Sequence, residues 1–314
     1  MNIKETRGKQ DVKTEQLALP SVRGKGIALV LTGATLWGIS GTVAQYLFQR
    51  QGFSPAWLVD IRLLLAGAIL LILSGMKNPK RIMDIWKTKH DAGSLVLFSL
   101  LGMLAVQYTY FAAIDHSNAA AATVLQYLAP VMIATYLAIR SKKLPTSWQF
   151  TAILLALLGT LLLVTKGNIG TLSISGLAVF WGIASAVALA FYTLQPRSLL
   201  ARWGAVTVTG WGMVVGGLSF SFIHPPWLFQ GHISFQSLMA VVFVVIFGTL
   251  IAFYCYLESL KYISASETSL LASVEPLSAA FVSVIWLGVP FGFEEWLGTF
   301  CIISTIAILA KKTN

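Results

Sequence analysis

Residues 254–276, YCYLESLKYISASETSLLASVEP, lie over residues 108–130, YTYFAAIDHSNAAAATVLQYLAP, without a gap. Tyr108 meets Tyr254, Tyr110 meets Tyr256, Ala119 meets Ala265, Leu125 meets Leu271 and Pro130 meets Pro276. A repeat of this length constrains the architecture before any short motif does. Two further segments agree at nearly the same offset: Gly26 and Gln45 with Gly176 and Gln195, and Ala56 and Gly67 with Ala205 and Gly216. The chain reads as two related halves.

Composition says what the halves are made of. Of the 314 residues, 56% are hydrophobic and only 11% charged, against about 25% charged in an ordinary soluble protein. A bilayer core roughly 30 Å thick needs about 20 apolar residues per helical span. Ten stretches meet that length: Gly26 to Phe48, Ala56 to Gly75, Ser94 to Ile114, Asn118 to Ile139, Ser147 to Thr165, Gly176 to Pro196, Gly204 to Ile223, Ile233 to Leu260, Ser264 to Gly288 and Phe293 to Ala310. The expected fold is an all-α integral membrane protein of ten transmembrane helices. Residues 1–25 form a polar cytoplasmic tail, 26–166 a first five-helix repeat and 174–312 a second. Five is odd, so the second copy enters the membrane from the side opposite to the first. Such 5+5 inverted repeats place a substrate site near the midplane between the halves.

The net charge of +10 raises nucleic-acid binding, but its placement favours topology. With the N-terminus inside, 19 of the 22 Lys and Arg fall in the tail, in cytoplasmic loops or at the C-terminus. Only Arg50 and Lys166 fall outside, and Arg62 alone lies within a span. That asymmetry is the positive-inside pattern; it places both termini in the cytoplasm and is preferred to nucleic-acid or anionic-lipid recognition. Cys255 and Cys301 both sit in expected spans and suggest neither a disulfide nor a metal site. No cofactor is implied.

Candidate site residues follow from the polar groups inside the spans. Proline removes a backbone donor and frees a carbonyl that lipid cannot satisfy. Pro130 and Pro276 each lie about twelve residues into a span, roughly 18 Å at 1.5 Å per residue, near mid-membrane. They read either as simple kinks or as the paired helix breaks that mark a transporter site. Glu275, next to Pro276, is an ionisable group at that depth and a functional candidate by default; it could exchange protons, or serve as a neutral hydrogen-bonding strut. Gln107, Tyr110 and Phe111 share helical spacing in span three, and Gln126 and Tyr127 precede Pro130 in span four. Aromatic rings with polar tips suit an organic solute better than a bare ion. In span one, Trp37 lies between Gly33 and Gly41; in span six, Trp181 is followed one turn on by Ser185. Each Trp could stack on a ligand or simply pack. Gly212 and Gly216 form a minimal close-packing pair in span seven. Asp60 and Arg62 are too close in sequence to face each other on a helix, and Arg62 could snorkel to the outer interface.

Taken together, LWGISG (36–41), SPAWLVDIRLLLAG (54–67) with its Arg62, AAAATVLQYLAPV (119–131) and ASETSLLASVEPLSAA (265–280) resemble the EamA-type members of the drug/metabolite transporter superfamily. The likeness runs from about Gly26 to Lys312. It implies ten helices in a 5+5 inverted repeat, secondary active transport, and usually export of amino acids or other small metabolites across the inner membrane. It also gives Arg62 a structural or gating role. The family often ends spans four and nine with Gly-Glu and a basic residue, whereas here those places read SKKLP (141–145) and GVPFG (288–292). Glu275 is then the chief carboxylate within the spans.

The reading that results is a transporter of a small-molecule solute, embedded in the lipid bilayer, coupled to protons through Glu275 or driven by the solute gradient alone. An ATP-driven pump is disfavoured because no GxxxxGK[ST] loop is present. An integral membrane enzyme is the alternative from another class; against it, the four histidines fall in loops or at span ends and no HExxH pair exists. The sequence does not choose between monomer and homodimer.

Overall fold

In a bilayer every backbone N–H and C=O must be satisfied within the protein, which favours helices as spanning elements. Helix is the only regular structure among the described residues. The computed structural model describes residues 20–77, 79–141, 146–165 and 175–287, with isolated positions from 292 to 308. The tail before residue 20, most of SKKLP and GVPFG, the 166–174 connection and most of the expected tenth span lie outside the described residues.

The helices are α1 (Pro20–Gln51), α2 (Pro55–Lys77), α3 (Lys89–Asp115), α4a (Ala119–Gln126), α4b (Leu128–Ser141), α5 (Ser147–Thr165), α6 (Gly176–Leu194), α7 (Ala205–Ser221), α8 (Phe235–Ser259), α9a (Ala265–Leu271) and α9b (Val274–Leu287). A short helix, Arg197–Trp203, links α6 to α7. Six stretches among the described residues are long and apolar enough to cross a membrane: α1, α2, α3, α6, α8 and the run Ala265–Trp286. Ala205–Ser221 is a shorter apolar helix, as is Phe150–Gly159 within α5. The expected fourth span is divided at Tyr127 into α4a and α4b.

Local chemistry sets the helix starts. Pro20 and Pro55 begin α1 and α2, where a missing N–H costs nothing. The Ser175 hydroxyl accepts from Ala178 N at 3.1 Å to cap α6. Ser234 with Ser237, and Ser264 with Glu267, close capping boxes at α8 and α9a, each satisfying otherwise orphaned N–H groups. Outward faces carry large apolar side chains such as Ile72, Phe180, Val187 and Phe281, the inverse of a soluble surface and the pattern lipid requires.

Cross-helix contacts sort the helix ends into two sets. At one end, which is rich in Lys and Arg, Arg23 of α1 pairs with Glu267 of α9a at 3.0 Å. There too Arg202 pairs with Asp91 at the start of α3 at 2.7 Å, and the Gln195 amide donates to the Ser94 carbonyl at 2.9 Å. At the opposite end the Ala119 N–H donates to Gln45 Oε1 at 3.1 Å, the Trp57 indole to the Pro226 carbonyl at 2.8 Å, and the Ser221 hydroxyl to Asp60 at 3.0 Å. Gln45 and Gln195, matched in the sequence repeat, thus tie down opposite ends of the bundle. Glu258 pairs with Lys261 at 2.6 Å, as their three-residue spacing allows.

Two kinds of irregularity occur near the middle of the bundle. α9a and α9b part at Ala272 and Ser273, three residues before Pro276, much as α4a and α4b part at Tyr127, three before Pro130. The α3 helix widens into π-helix over Phe98–Leu104 and α8 over Ile246–Ile251. In α8 the Thr249 hydroxyl reaches back to the Val244 carbonyl at 2.7 Å. Gly212 and Gly216 of α7 receive the Phe98 ring and the Ser99 carbonyl from the π segment of α3, so the pair does serve close packing. π segments of this kind often accompany functional sites.

Candidate functional site

A narrow cavity lies where α1, α2, α3, α4a, α6, α8 and α9b converge, lined by Trp37, Ser40, Gly41, Arg62, Val106, Gln107, Tyr110, Phe111, Gln126, Leu189, Gly248, Phe253 and Glu275. Glycine at three positions lets the helices close around it. A Cβ on Gly38 would collide with the Glu275 carbonyl and the Ser278 hydroxyl, and one on Gly248 with Ser40. A Cβ on Gly41 would come within 2.8 Å of the Tyr110 hydroxyl. Free volume is about 30 Å³, room for about two waters and far too little for an amino acid. The site is closed in this conformation.

A carboxyl and a guanidinium sit in this space without forming an ion pair. Glu275 and Arg62 are each 3% exposed. No salt bridge joins them, and none involves either among the described residues. The Arg62 guanidinium lies 3.8 Å over the centre of the Phe111 ring, a cation–π contact that offsets part of its desolvation. The Tyr110 hydroxyl shares a hydrogen bond with Thr123 Oγ1 at 2.8 Å and faces the Glu275 carboxyl. A buried guanidinium is costly unless matched by a partner, so leaving Arg62 without an anionic one among the described residues is a feature that packing alone does not explain.

The neighbouring polar atoms repeat that pattern. Trp37 Nε1, Ser40 Oγ, Arg62 Nε and Gln107 Oε1 are four of the eight buried side-chain atoms without a hydrogen-bond partner among the described residues. All four residues line this one cavity. Buried polar atoms are nearly always satisfied, and an unsatisfied one costs about 1–3 kcal/mol. Their clustering in one place marks a position shaped for something polar.

The structure therefore brings together Trp37, Arg62, Tyr110, Gln126 and Glu275. It does not bring Trp181 or Tyr127 into the cavity lining, and Ser185 stands behind it. The Trp181 ring packs edge-on against Tyr108, with centroids 5.4 Å apart, and against Phe180 at 5.0 Å; it lies in the half of α6 nearer the Gln45 end. Ser185 Oγ accepts from the Gln126 amide at 2.6 Å, so it orients Gln126. Tyr127 instead donates its hydroxyl to the Ala272 carbonyl, the carbonyl whose helical donor Pro276 lacks. Arg62 points into the protein and does not snorkel outward, because Phe111 offers its cation a ring face. Gly33 is a packing residue: a Cβ there would come within 2.8 Å of the Ala252 carbonyl of α8. Trp37 both packs, with Phe253 at 4.8 Å and Tyr256 at 4.9 Å, and presents its unpaired N–H.

Ser40, Val106, Leu189, Gly248 and Phe253 were not singled out by sequence. For Ser40 a signal existed, since it lies one turn beyond Trp37 on the same face of α1. Nothing in the sequence distinguishes Val106, Leu189 or Phe253 from apolar residues that face lipid.

Comparison with known proteins gives this geometry a context. The EamA-like transporter family matches twice, over residues 24–165 and 176–311. A protein of Salmonella typhimurium named as the uncharacterized inner membrane transporter YicL is 43% identical over 293 residues, covering 92% of this chain and 96% of that protein. The uncharacterized transporter YwfM of Bacillus subtilis is 24% identical over 274 residues, 86% of this chain and 88% of its own length. One crystal structure superposes with a TM-score of 0.70 at 17% identity, over 92% of this chain and 97% of the other, a likeness of fold. With membrane-length apolar helices, a closed polar cavity among them and a family match across nearly its whole length, the chain is a multi-pass membrane protein that belongs to the EamA-like transporter family.

Proposed function

We propose that this protein is a secondary transporter that exports small organic metabolites, amino acids among them, across the inner membrane by alternating access. The observation that carries the reading is the cavity itself, where the buried Arg62 guanidinium and Glu275 carboxyl form no ion pair and four polar atoms, Arg62 Nε among them, lack a partner among the described residues. A zwitterionic solute would answer all of these groups except the Ser40 hydroxyl. Its carboxylate suits Arg62 and the Trp37 N–H, and its ammonium suits Glu275 and Gln107 Oε1.

The architecture proposed is the 5+5 inverted repeat, with residues 26–166 and 174–312 as the halves and both termini cytoplasmic. Its supports are the two successive family matches, the gap-free alignment of residues 108–130 with 254–276, and the matched glutamines Gln45 and Gln195 at opposite ends of the bundle. Proton coupling is assigned to Glu275, a carboxyl at the helix break that can carry a proton in one cavity orientation and release it in the other. Solute binds when one end of the bundle parts, and the present closed cavity is the state between the two openings.

A thermal-shift screen of amino acids, sugars and nucleosides on purified protein, followed by flux of each hit into sealed proteoliposomes, tests this function. A stabilising solute that also crosses only when the protein is present is the expected result. A hit that is chemically converted without needing a closed compartment would make the protein an enzyme instead.

A further inference from the structure

Away from the cavity, a groove of about 860 Å³ opens on the outer face of the bundle between α4b, α6 and the start of the short helix Arg197–Trp203. Its wall is apolar, formed by residues such as Met132, Val187, Phe191 and Leu194, and its polar lining gathers at the basic end, where Arg140, Arg197 and Ser198 sit. Met132 to Arg140 spans eight residues, about 12 Å of helix, most of the roughly 15 Å depth of one leaflet. Val187 is 54% and Tyr136 47% exposed, so the groove faces the lipid.

The arginines at its mouth differ from their neighbours. Arg202 is tied to Asp91 and Lys261 to Glu258, at 2.7 and 2.6 Å. Among the described residues neither Arg140 nor Arg197 pairs with a carboxylate, and Arg140 donates a 3.3 Å hydrogen bond to the Tyr136 hydroxyl. A neighbouring cleft shares Arg197 and Ser198 and adds Arg202 and Lys261, so the positive field continues beyond the groove. Guanidinium groups grip phosphate through two parallel N–H bonds, and basic pockets between transmembrane helices suit anionic headgroups. An acyl-length apolar channel ending in two arginines that pair with no carboxylate among the described residues matches an amphiphile with a negative head.

We propose that this groove is a binding site for one anionic phospholipid of the adjoining leaflet, with its phosphate held by Arg140 and Arg197 and an acyl chain laid along α4b and α6. The charge excess at this end then does more than set topology, and the site is independent of what the central cavity carries.

The test is native mass spectrometry of the full chain in detergent, titrated with phosphatidylglycerol and with phosphatidylcholine of the same chains. The expected result is a single phosphatidylglycerol adduct at least roughly tenfold tighter than the phosphatidylcholine adduct, in line with two basic contacts at a surface. The double variant Arg140→Gln, Arg197→Gln should bring the two lipids to equal affinity. Val187→Trp, which fills the groove and leaves both arginines in place, should also remove the tight adduct. Inorganic phosphate should not displace the lipid, because it lacks the acyl chain. Equal binding of both lipids by the wild type would overturn the site outright, as would a phosphatidylglycerol preference that survives Val187→Trp.

Discussion

The Tyr127 hydroxyl, at the break between α4a and α4b, donates to the Ala272 carbonyl, at the break between α9a and α9b. Pro276 stands four residues after Ala272 and cannot supply the helical N–H that carbonyl would normally receive. The Glu275 N–H reaches it at 2.9 Å, and the tyrosine provides the second bond from the other half of the chain. One break is thereby braced by the other, and Glu275 is held at the brace.

Removing that hydroxyl should loosen the bundle without emptying the cavity. Tyr127→Phe is expected to destabilise by about 1 kcal/mol, the scale of a side-chain hydrogen bond inside a membrane protein, read as a lower midpoint in thermal unfolding. An unchanged midpoint would mean that Ala272 is satisfied without it.

The contact of α1 with α9b depends on Gly38. A methyl group there meets the Glu275 carbonyl and Ser278, and overpacking of a tight interface costs about 1–3 kcal/mol. Gly38→Ala should lower thermal stability by that order and reduce flux as well, since Glu275 must move. Wild-type stability in this variant would contradict the close approach.

Arg62 and Lys are not equivalent over an aromatic ring. The planar guanidinium stacks on Phe111, whereas an ammonium is a strongly hydrated point charge. Arg62→Lys should keep the fold, judged by helicity and monodispersity, yet lower flux at least roughly tenfold, about 1.4 kcal/mol. Flux retained by this variant would reduce Arg62 to a packing cation.

The proposed proton coupling stands on one carboxyl. Glu275→Gln preserves shape and hydrogen bonding but carries no exchangeable charge. In sealed vesicles the wild type should show flux that varies with external pH and falls when a protonophore collapses the gradient, while the variant shows a rate independent of both. A variant with the wild-type rate and pH profile would leave transport intact as a reading and remove protons from it.

Much of this was legible in the sequence where the signal was covalent or periodic. The prolines Pro130 and Pro276 announced two breaks because the missing N–H is written in the residue itself. Glu275 stood out because a charge in an apolar run has few places to go, and the Ser264 to Gly288 segment was recognisable by length. Side-chain direction was not legible. Tyr127 and Gln126 are neighbours, yet one turns to brace the other half and the other lines the cavity; Trp181 and Trp37 looked alike in sequence and part company in space. A span that faces both lipid and a cavity is apolar on every side, so Val106, Leu189 and Phe253 carry no periodic mark. The π segments at Phe98–Leu104 and Ile246–Ile251 likewise have no signature in composition, because a widened turn uses the same residues as an ordinary one.

Gln107 offers the most direct measurement of whether the cavity's unsatisfied atoms exist for a solute. Among the described residues its Oε1 has no partner, and its amide donates to the Met103 sulfur at 3.2 Å. Gln107→Leu keeps the volume and removes the orphan, which should leave thermal stability equal or higher. The same variant should lose most of its solute flux in sealed proteoliposomes and most of its solute-induced thermal shift. Undiminished flux and shift in a stably folded Gln107→Leu would show that the solute binds elsewhere.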